Sequence, residues 1–182
     1  VVEALTRRLS IEGDTRLLDV AAGTGKLTRQ FTETARVVAL EPAAEMRTEF
    51  ARIQPGTPIV GGVAEAIPLA DASVDAITIG TAFHWFDGPA ALRELHRVLR
   101  PGGTMALVWL QRDERVDWVD QLVRLVDTYR PAEARRYAET PWQAAFREEP
   151  GRSLFTPLQY EEFPFEHQVD RATAVNRTAS PS

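Results

Sequence analysis

The chain has 182 residues, 44% of them hydrophobic and 26% charged, the make-up of one folded domain with a real core and not of a disordered tract. Its 21 basic and 26 acidic side chains leave a net charge of −5, a poor match for a nucleic-acid backbone, so no nucleic-acid partner is expected. There is no cysteine, which excludes disulfides, thiolate catalysis and cysteine-held metals, and no apolar run approaches the roughly 20 residues of a membrane span. No basic-then-apolar leader opens the sequence, so a cytoplasmic location is expected.

In chain order, Val2, Leu5 and Leu9 predict a helix over 1–9, closed by Gly13. Residues 16–20 read as a buried strand stopped by a small-residue turn. Leu27 and Phe31, four apart, predict a helix over 26–34. A β-branched strand follows at 36–40, then a helix at 43–53 on Met46, Phe50 and Ile53. Strands follow at 58–61 and 74–80. Leu92, Leu95 and Leu99 place a helix at 89–99, with Pro89 in its first turn and Arg100-Pro101-Gly102-Gly103 ending it. Residues 104–110 are a fifth buried strand. Beyond it the pattern turns helical, at 114–129, 131–139 and 142–148; 154–165 alternates like a strand and 170–176 opens another helix. Strands and helices in alternation, with continuously apolar strands, predict an α/β fold: a mostly parallel sheet covered on both faces. Ligands of such sheets sit beyond the carboxyl ends of the strands, so residues just after the strands carry most weight.

The stretch Leu17-Leu18-Asp19-Val20-Ala21-Ala22-Gly23-Thr24-Gly25-Lys26-Leu27-Thr28 reads as strand, small-residue turn, helix. Glycines there let a backbone approach a ligand closely. A phosphate-binding loop fails, because Leu27 follows Gly25-Lys26 and Val20 stands where its first glycine belongs. A dinucleotide fingerprint fits poorly, with Thr28 in its third glycine slot and Asp19 beside a pyrophosphate. A cationic, phosphate-free ligand such as S-adenosylmethionine suits Asp19, and Glu41, 22 residues on at the end of the second strand, is placed to accept ribose hydroxyls. A turn or cap role for Asp19 is the competing reading.

On these residues the chain resembles the class I S-adenosylmethionine-dependent methyltransferases of the small-molecule (type 11-like) kind, in the subgroup with Phe-His-Trp-Phe after the fourth strand. Asp19 to Gly25 matches the first motif, with Ala21 in place of its first glycine. Glu41-Pro42-Ala43-Ala44-Glu45-Met46 matches the acidic ribose motif, with Met46 near the adenine. Gly62-Val63-Ala64-Glu65-Ala66-Ile67-Pro68-Leu69 matches the adenine-side loop; Val63 replaces a frequent Asp, which leaves the adenine to the backbone around Ala64. Ala72 to Ile77 and Leu99 to Thr104 match two later motifs. The resemblance implies a Rossmann-like, three-layer α/β/α fold, with 1–110 the cofactor-binding core and 111–182 a helical lid and C-terminal strand region. It implies S-adenosylmethionine as cofactor, S-adenosylhomocysteine as product, and methyl transfer to O, N or C of a small-molecule acceptor. The implied cofactor-binding residues are Asp19, Ala21, Gly23, Thr24, Gly25, Glu41, Pro42, Met46, Ala64, Glu65 and Thr81. A non-catalytic relative, and less readily a nicotinamide oxidoreductase, are the alternatives.

On the acceptor side, His84 is the candidate general base or acceptor-binding group, against a structural histidine; Trp85 and Trp109 are candidate pocket walls. Three scattered histidines show no metal-ligand spacing, so no metal is expected. Compared with the family, the chain reads as truncated at both ends. A six-stranded sheet is expected, lacking the last strand or completed by another chain, as in a dimer; the fifth strand then has an open edge.

Overall fold

In the computed structural model the described residues are 1–129, 141–166, 168, 170, 172 and 173. They fall into two compact units. The first holds Val1–Leu110 and the described part of Tyr137–Leu158; the second holds the described part of Gln111–Arg136 and of Gln159–Ser182.

The first unit is a parallel sheet of five strands in the order β3-β2-β1-β4-β5. They are β1 (Arg16–Val20), β2 (Arg36–Leu40), β3 (Ile59–Val60), β4 (Val74–Gly80) and β5 (Leu99–Val108). The chain walks outward from β1 to β3, then returns to β1's other side with β4, so the strand order reverses between β1 and β4. Helices α1 (Val2–Arg8), α2 (Ala44–Ile53) and α3 (Gly88–Val98) precede or connect the strands; short α5 (Ala144–Arg147) and α6 (Gly151–Leu154) pack on α3. The expected parallel α/β architecture is therefore present.

Alternation along each strand divides the core. Leu18, Val20, Ile77 and Ile79 pack with Leu92, Leu95 and Val98 of α3. Leu17, Val37 and Ala76, pointing the other way, pack with Leu9, Ile11 and Phe31. Burial on both faces explains why these strands are apolar throughout. Asp87 starts α3, its carboxylate accepting from the Ala90 amide, and Pro89 lies in the first turn.

Three expectations are corrected. The helix over 26–34 is a single 3-10 turn at Thr28–Gln30 between other turns. Bonds of mixed span hold it, Arg29 N–H to Gly25 O and Phe31 N–H to Thr28 O, and threonines at 28, 32 and 34 lower helix propensity. β5 starts at Leu99, so Arg100 to Gly103 lie within the strand, across a register shift between Val74 and Ala76. Gly103 is required there: a Cβ would meet the Arg100 and Asp75 carbonyl oxygens at 2.9 Å. The strand over 154–165 is absent: Leu154 ends α6, and no regular element follows through Phe165. Pro157 and Pro164 remove ladder donors from that stretch. With it goes the sixth strand, leaving five among the described residues.

In the second unit, α4 (Asp117–Thr128) answers the helix expected over 114–129 and buries Val123. The helix over 131–139 lies outside the described residues, and that over 170–176 lies largely outside them.

Candidate functional site

At the carboxyl ends of β1 and β4 the chain holds a concentration of left-handed backbone. Ala21 (φ 55°) and Thr81 (φ 52°) follow the neighbouring strands β1 and β4; Gly23 (φ 57°) and Gly25 (φ 83°) continue the turn. For Ala21 and Thr81 this costs about 1–2 kcal/mol each, strain of the kind that collects at functional sites. Gly25 is forced by space as well as by angle: a Cβ would sit 1.7 Å from Gln54 Nε2 and 2.7 Å from the Phe50 ring. Gly23 differs, since a Cβ there meets nothing within 4 Å, so open space lies against its backbone.

Two buried carboxylates bracket this turn. Asp19, 1% exposed, ends in a pair of hydroxyls: Thr28 Oγ1 donates to Oδ2 at 2.5 Å and Thr78 Oγ1 donates to Oδ1 at 2.8 Å. Burial pushes its carboxyl up to about 6, and the two threonine hydrogen bonds pull the other way. Asp19 thus ties β1, β4 and the 28–30 turn together. Glu41, 6% exposed, accepts from the Gly23 N–H at 2.9 Å through Oε2 and from the Ala43 N–H at 3.0 Å through Oε1. Its carboxylate therefore touches the glycine turn directly. Among the described residues neither carboxylate has an ion-pair partner.

Thr24 sits half-buried in the same turn, and Pro42 and Met46 flank Glu41, Met46 exposed. Arg47 donates to the Glu41 and Pro42 carbonyls at 2.9 and 2.7 Å, fixing the path from β2 into α2. Ala64 is buried, and Glu65 accepts from the Asp87 N–H at 2.8 Å, joining the 62–69 loop to the start of α3.

His84 and Trp85 lie in one 3-10 turn, Phe83–Trp85, after β4. Trp85 is exposed and Phe83 buried. His84 is half-buried, and burial lowers its pKa. The Trp109 Nε1–H, just past β5, donates to His84 Nδ1 at 3.3 Å, and the Trp109 ring stacks on Trp142 with centroids 4.5 Å apart. His96 is exposed, edge-on to Phe155; His167 lies outside the described residues. Among the described residues no group of acidic and histidine side chains is arranged to hold a metal.

Two open cavities, of about 370 and 780 Å³, lie at the amino ends of the strands, among Arg16, Arg36 and Val74, and include no expected site residue. The predicted residues gather instead at the opposite edge, where the strand order reverses.

Residues 18–107 match the family described as "Methyltransferase domain". This segment is a methyltransferase domain. An uncharacterized methyltransferase of Mycobacterium tuberculosis is 47% identical over 112 residues, covering 61% of this chain and 46% of that protein. A malonyl-[acyl-carrier protein] O-methyltransferase of Enterobacter lignolyticus is 37% identical over 113 residues, covering 61% of this chain and 45% of that protein. Among solved structures, the YcgJ protein of Bacillus subtilis superposes with a TM-score of 0.62 at 25% identity, covering 80% of this chain and 65% of that one. The fold is that of the class I S-adenosylmethionine-dependent methyltransferases. The chain spans about half the length of the curated relatives it matches.

Within the methyltransferase domain, two residues escape sequence reading: Thr28 and Thr78, which occupy both Asp19 oxygens. Thr28 stands out in the sequence only as the wrong residue for a dinucleotide glycine, and Thr78 as one β-branched position among several.

Proposed function

We propose that the chain carries the cofactor-binding part of an S-adenosylmethionine-dependent methyltransferase whose acceptor is a small molecule. The observation that carries this reading is Glu41: a buried carboxylate, unpaired with any cation among the described residues, hydrogen-bonded to the amide of a glycine that faces open space. Two carboxylates and no paired cation suit hydroxyl donors and a positively charged ligand, and repel phosphates. The residues therefore fit S-adenosylmethionine better than a dinucleotide. Glu41 would take the ribose hydroxyls, Ala21 to Gly25 the backbone contacts, Met46 and Ala64 the adenine side, and Thr81 with Asp19 the methionine end.

When bound, the cofactor supplies a methyl group on a cationic sulfur with a neutral thioether as leaving group. The chain's own task is to position the acceptor and exclude water. Trp85, Trp109 and His84 are the groups assigned to that side. Relatives named malonyl-[acyl-carrier protein] O-methyltransferase favour oxygen over nitrogen or carbon as the accepting atom. Incubating the chain with methyl-labelled S-adenosylmethionine and a panel of acids, phenols and amines tests the proposal. Label in an acceptor supports it; NADH binding with neither cofactor binding nor transfer overturns it.

A further inference from the structure

Residues 61–73, between β3 and β4, form no helix or strand beyond a single bridge from Val63 to Ala66. The stretch over 62–69 is nevertheless held, because every hydrogen bond it makes outside itself reaches α3 or Asp87, the cap of that helix. Glu65 Oε1 accepts from the Asp87 N–H at 2.8 Å, and the Ile67 N–H donates to Glu94 Oε2 at 2.9 Å. Arg97 carries the rest: Nη2 donates to Ile67 O and Nη1 to Leu69 O, both at 2.8 Å. It also grips Glu94 as a fork, Nε to Oε1 and Nη2 to Oε2 at 2.7 Å, and reaches Asp71 Oδ1 at 2.7 Å. A planar guanidinium set between two carboxylates and two carbonyls keeps one orientation, and a lysine cannot copy the fork.

What this clamp presents is Ala64. The residue is 4% exposed, yet among the described residues neither its N–H nor its carbonyl has a hydrogen-bond partner. Buried backbone groups are nearly always paired, so an open donor and an open acceptor here call for a ligand. The edge of adenine is complementary, since its N1 accepts and its 6-amino group donates. Hypoxanthine presents the reverse, an N1–H donor and an O6 acceptor. The neighbouring Val63 brings no polar side chain, so reading that edge falls to the backbone. A backbone in an irregular loop discriminates only while something holds it in place.

We infer that Arg97, braced by Glu94, is a positioning residue that sets the 62–69 loop so that the Ala64 backbone selects adenine over hypoxanthine. The inference rests on the methyltransferase reading above and deepens it. The Arg97 guanidinium is spent on the clamp, so it acts through the loop and not on the ligand.

The test is titration calorimetry of the folded chain with two probes, S-adenosylhomocysteine and S-inosylhomocysteine, which carries a carbonyl in place of the 6-amino group. The wild type should prefer the adenosyl probe about 10- to 100-fold. In Arg97→Met the preference should fall to about 3-fold or less, through weaker binding of the adenosyl probe and little change for the inosyl one. The ratio cancels any loss of folded protein. A clamp that only stabilises the fold would lower both affinities and leave the ratio as it was, and that result overturns the inference. Equal binding of both probes by the wild type also overturns it, and needs no variant to fold. If Arg97→Met is unfolded by circular dichroism, Arg97→Lys, which keeps the charge and gives up the fork, carries the same comparison. A folded wild type that binds neither probe is a failure of the methyltransferase reading itself, distinct from a wild type that binds both without preference.

Discussion

Replacing Asp19 by Asn isolates one buried charge. The carboxyl is 1% exposed and burial raises it from 3.8 to about 6, despite the hydroxyls of Thr28 and Thr78. A folded-state pKa above the unfolded one gives stability that is present below pH 4 and lost as pH rises through about 6. A rise of that size corresponds to about 3 kcal/mol in all, of which about 2 kcal/mol falls between pH 4 and pH 8. Asn keeps the shape and cannot ionise, so relative to Asp19→Asn the wild type should weaken by about that much over this range. Urea unfolding of both chains at pH 4, 6 and 8 measures the gap, and all other titrating groups cancel in the difference. Thermal midpoints should diverge by about 4–8 °C. A gap that stays constant with pH, or that moves in the wild type's favour as pH rises, refutes the assignment of Asp19 as a buried, costly charge. A cationic ligand facing Asp19 favours its ionised form, so cofactor affinity should rise with pH through the same window in the wild type and not in the variant.

The two turn glycines should separate stability from binding. Gly25→Ala drives a Cβ into Gln54 and Phe50 at positive φ and should cost about 2–4 kcal/mol in urea unfolding. Gly23→Ala meets no atom, should cost only about 1 kcal/mol, and should still weaken cofactor binding in calorimetry by filling the open face of the turn. Leu95→Ala, at a fully buried position of α3, should cost about 2–5 kcal/mol without any selective effect on the cofactor. His84→Ala should spare cofactor binding in calorimetry and lower kcat/KM for an active acceptor about 10- to 100-fold; unchanged turnover would remove His84 from the acceptor side.

The strands and the two acidic residues at their ends were legible because a doubly covered sheet writes continuous apolar runs that stop where the turn begins. Arg16 to Val20 and Arg36 to Leu40 have the bounds expected from sequence. The 26–34 helix misled because Leu27 and Phe31 record one-sided burial, which a 3-10 turn between irregular turns also provides. The start of β5 was hidden by Pro101 and Gly102, ordinary helix stops that an edge strand tolerates; among the described residues β5 pairs only with β4. The bond from Thr78 to Asp19 spans 59 residues, so no local pattern announces it. The His84 contact to Trp109 depends on the register of β4 and β5, and each residue alone reads as generic.

Isothermal titration of the folded chain with S-adenosylmethionine, beside Glu41→Ala, tests the central claim most directly. The predicted result is saturable binding in the wild type and an affinity lower by about 1.5–3 kcal/mol per lost charge-assisted hydrogen bond in the variant. A wild-type chain that is folded by circular dichroism yet gives no binding, or a Glu41→Ala variant that binds as tightly, would contradict it.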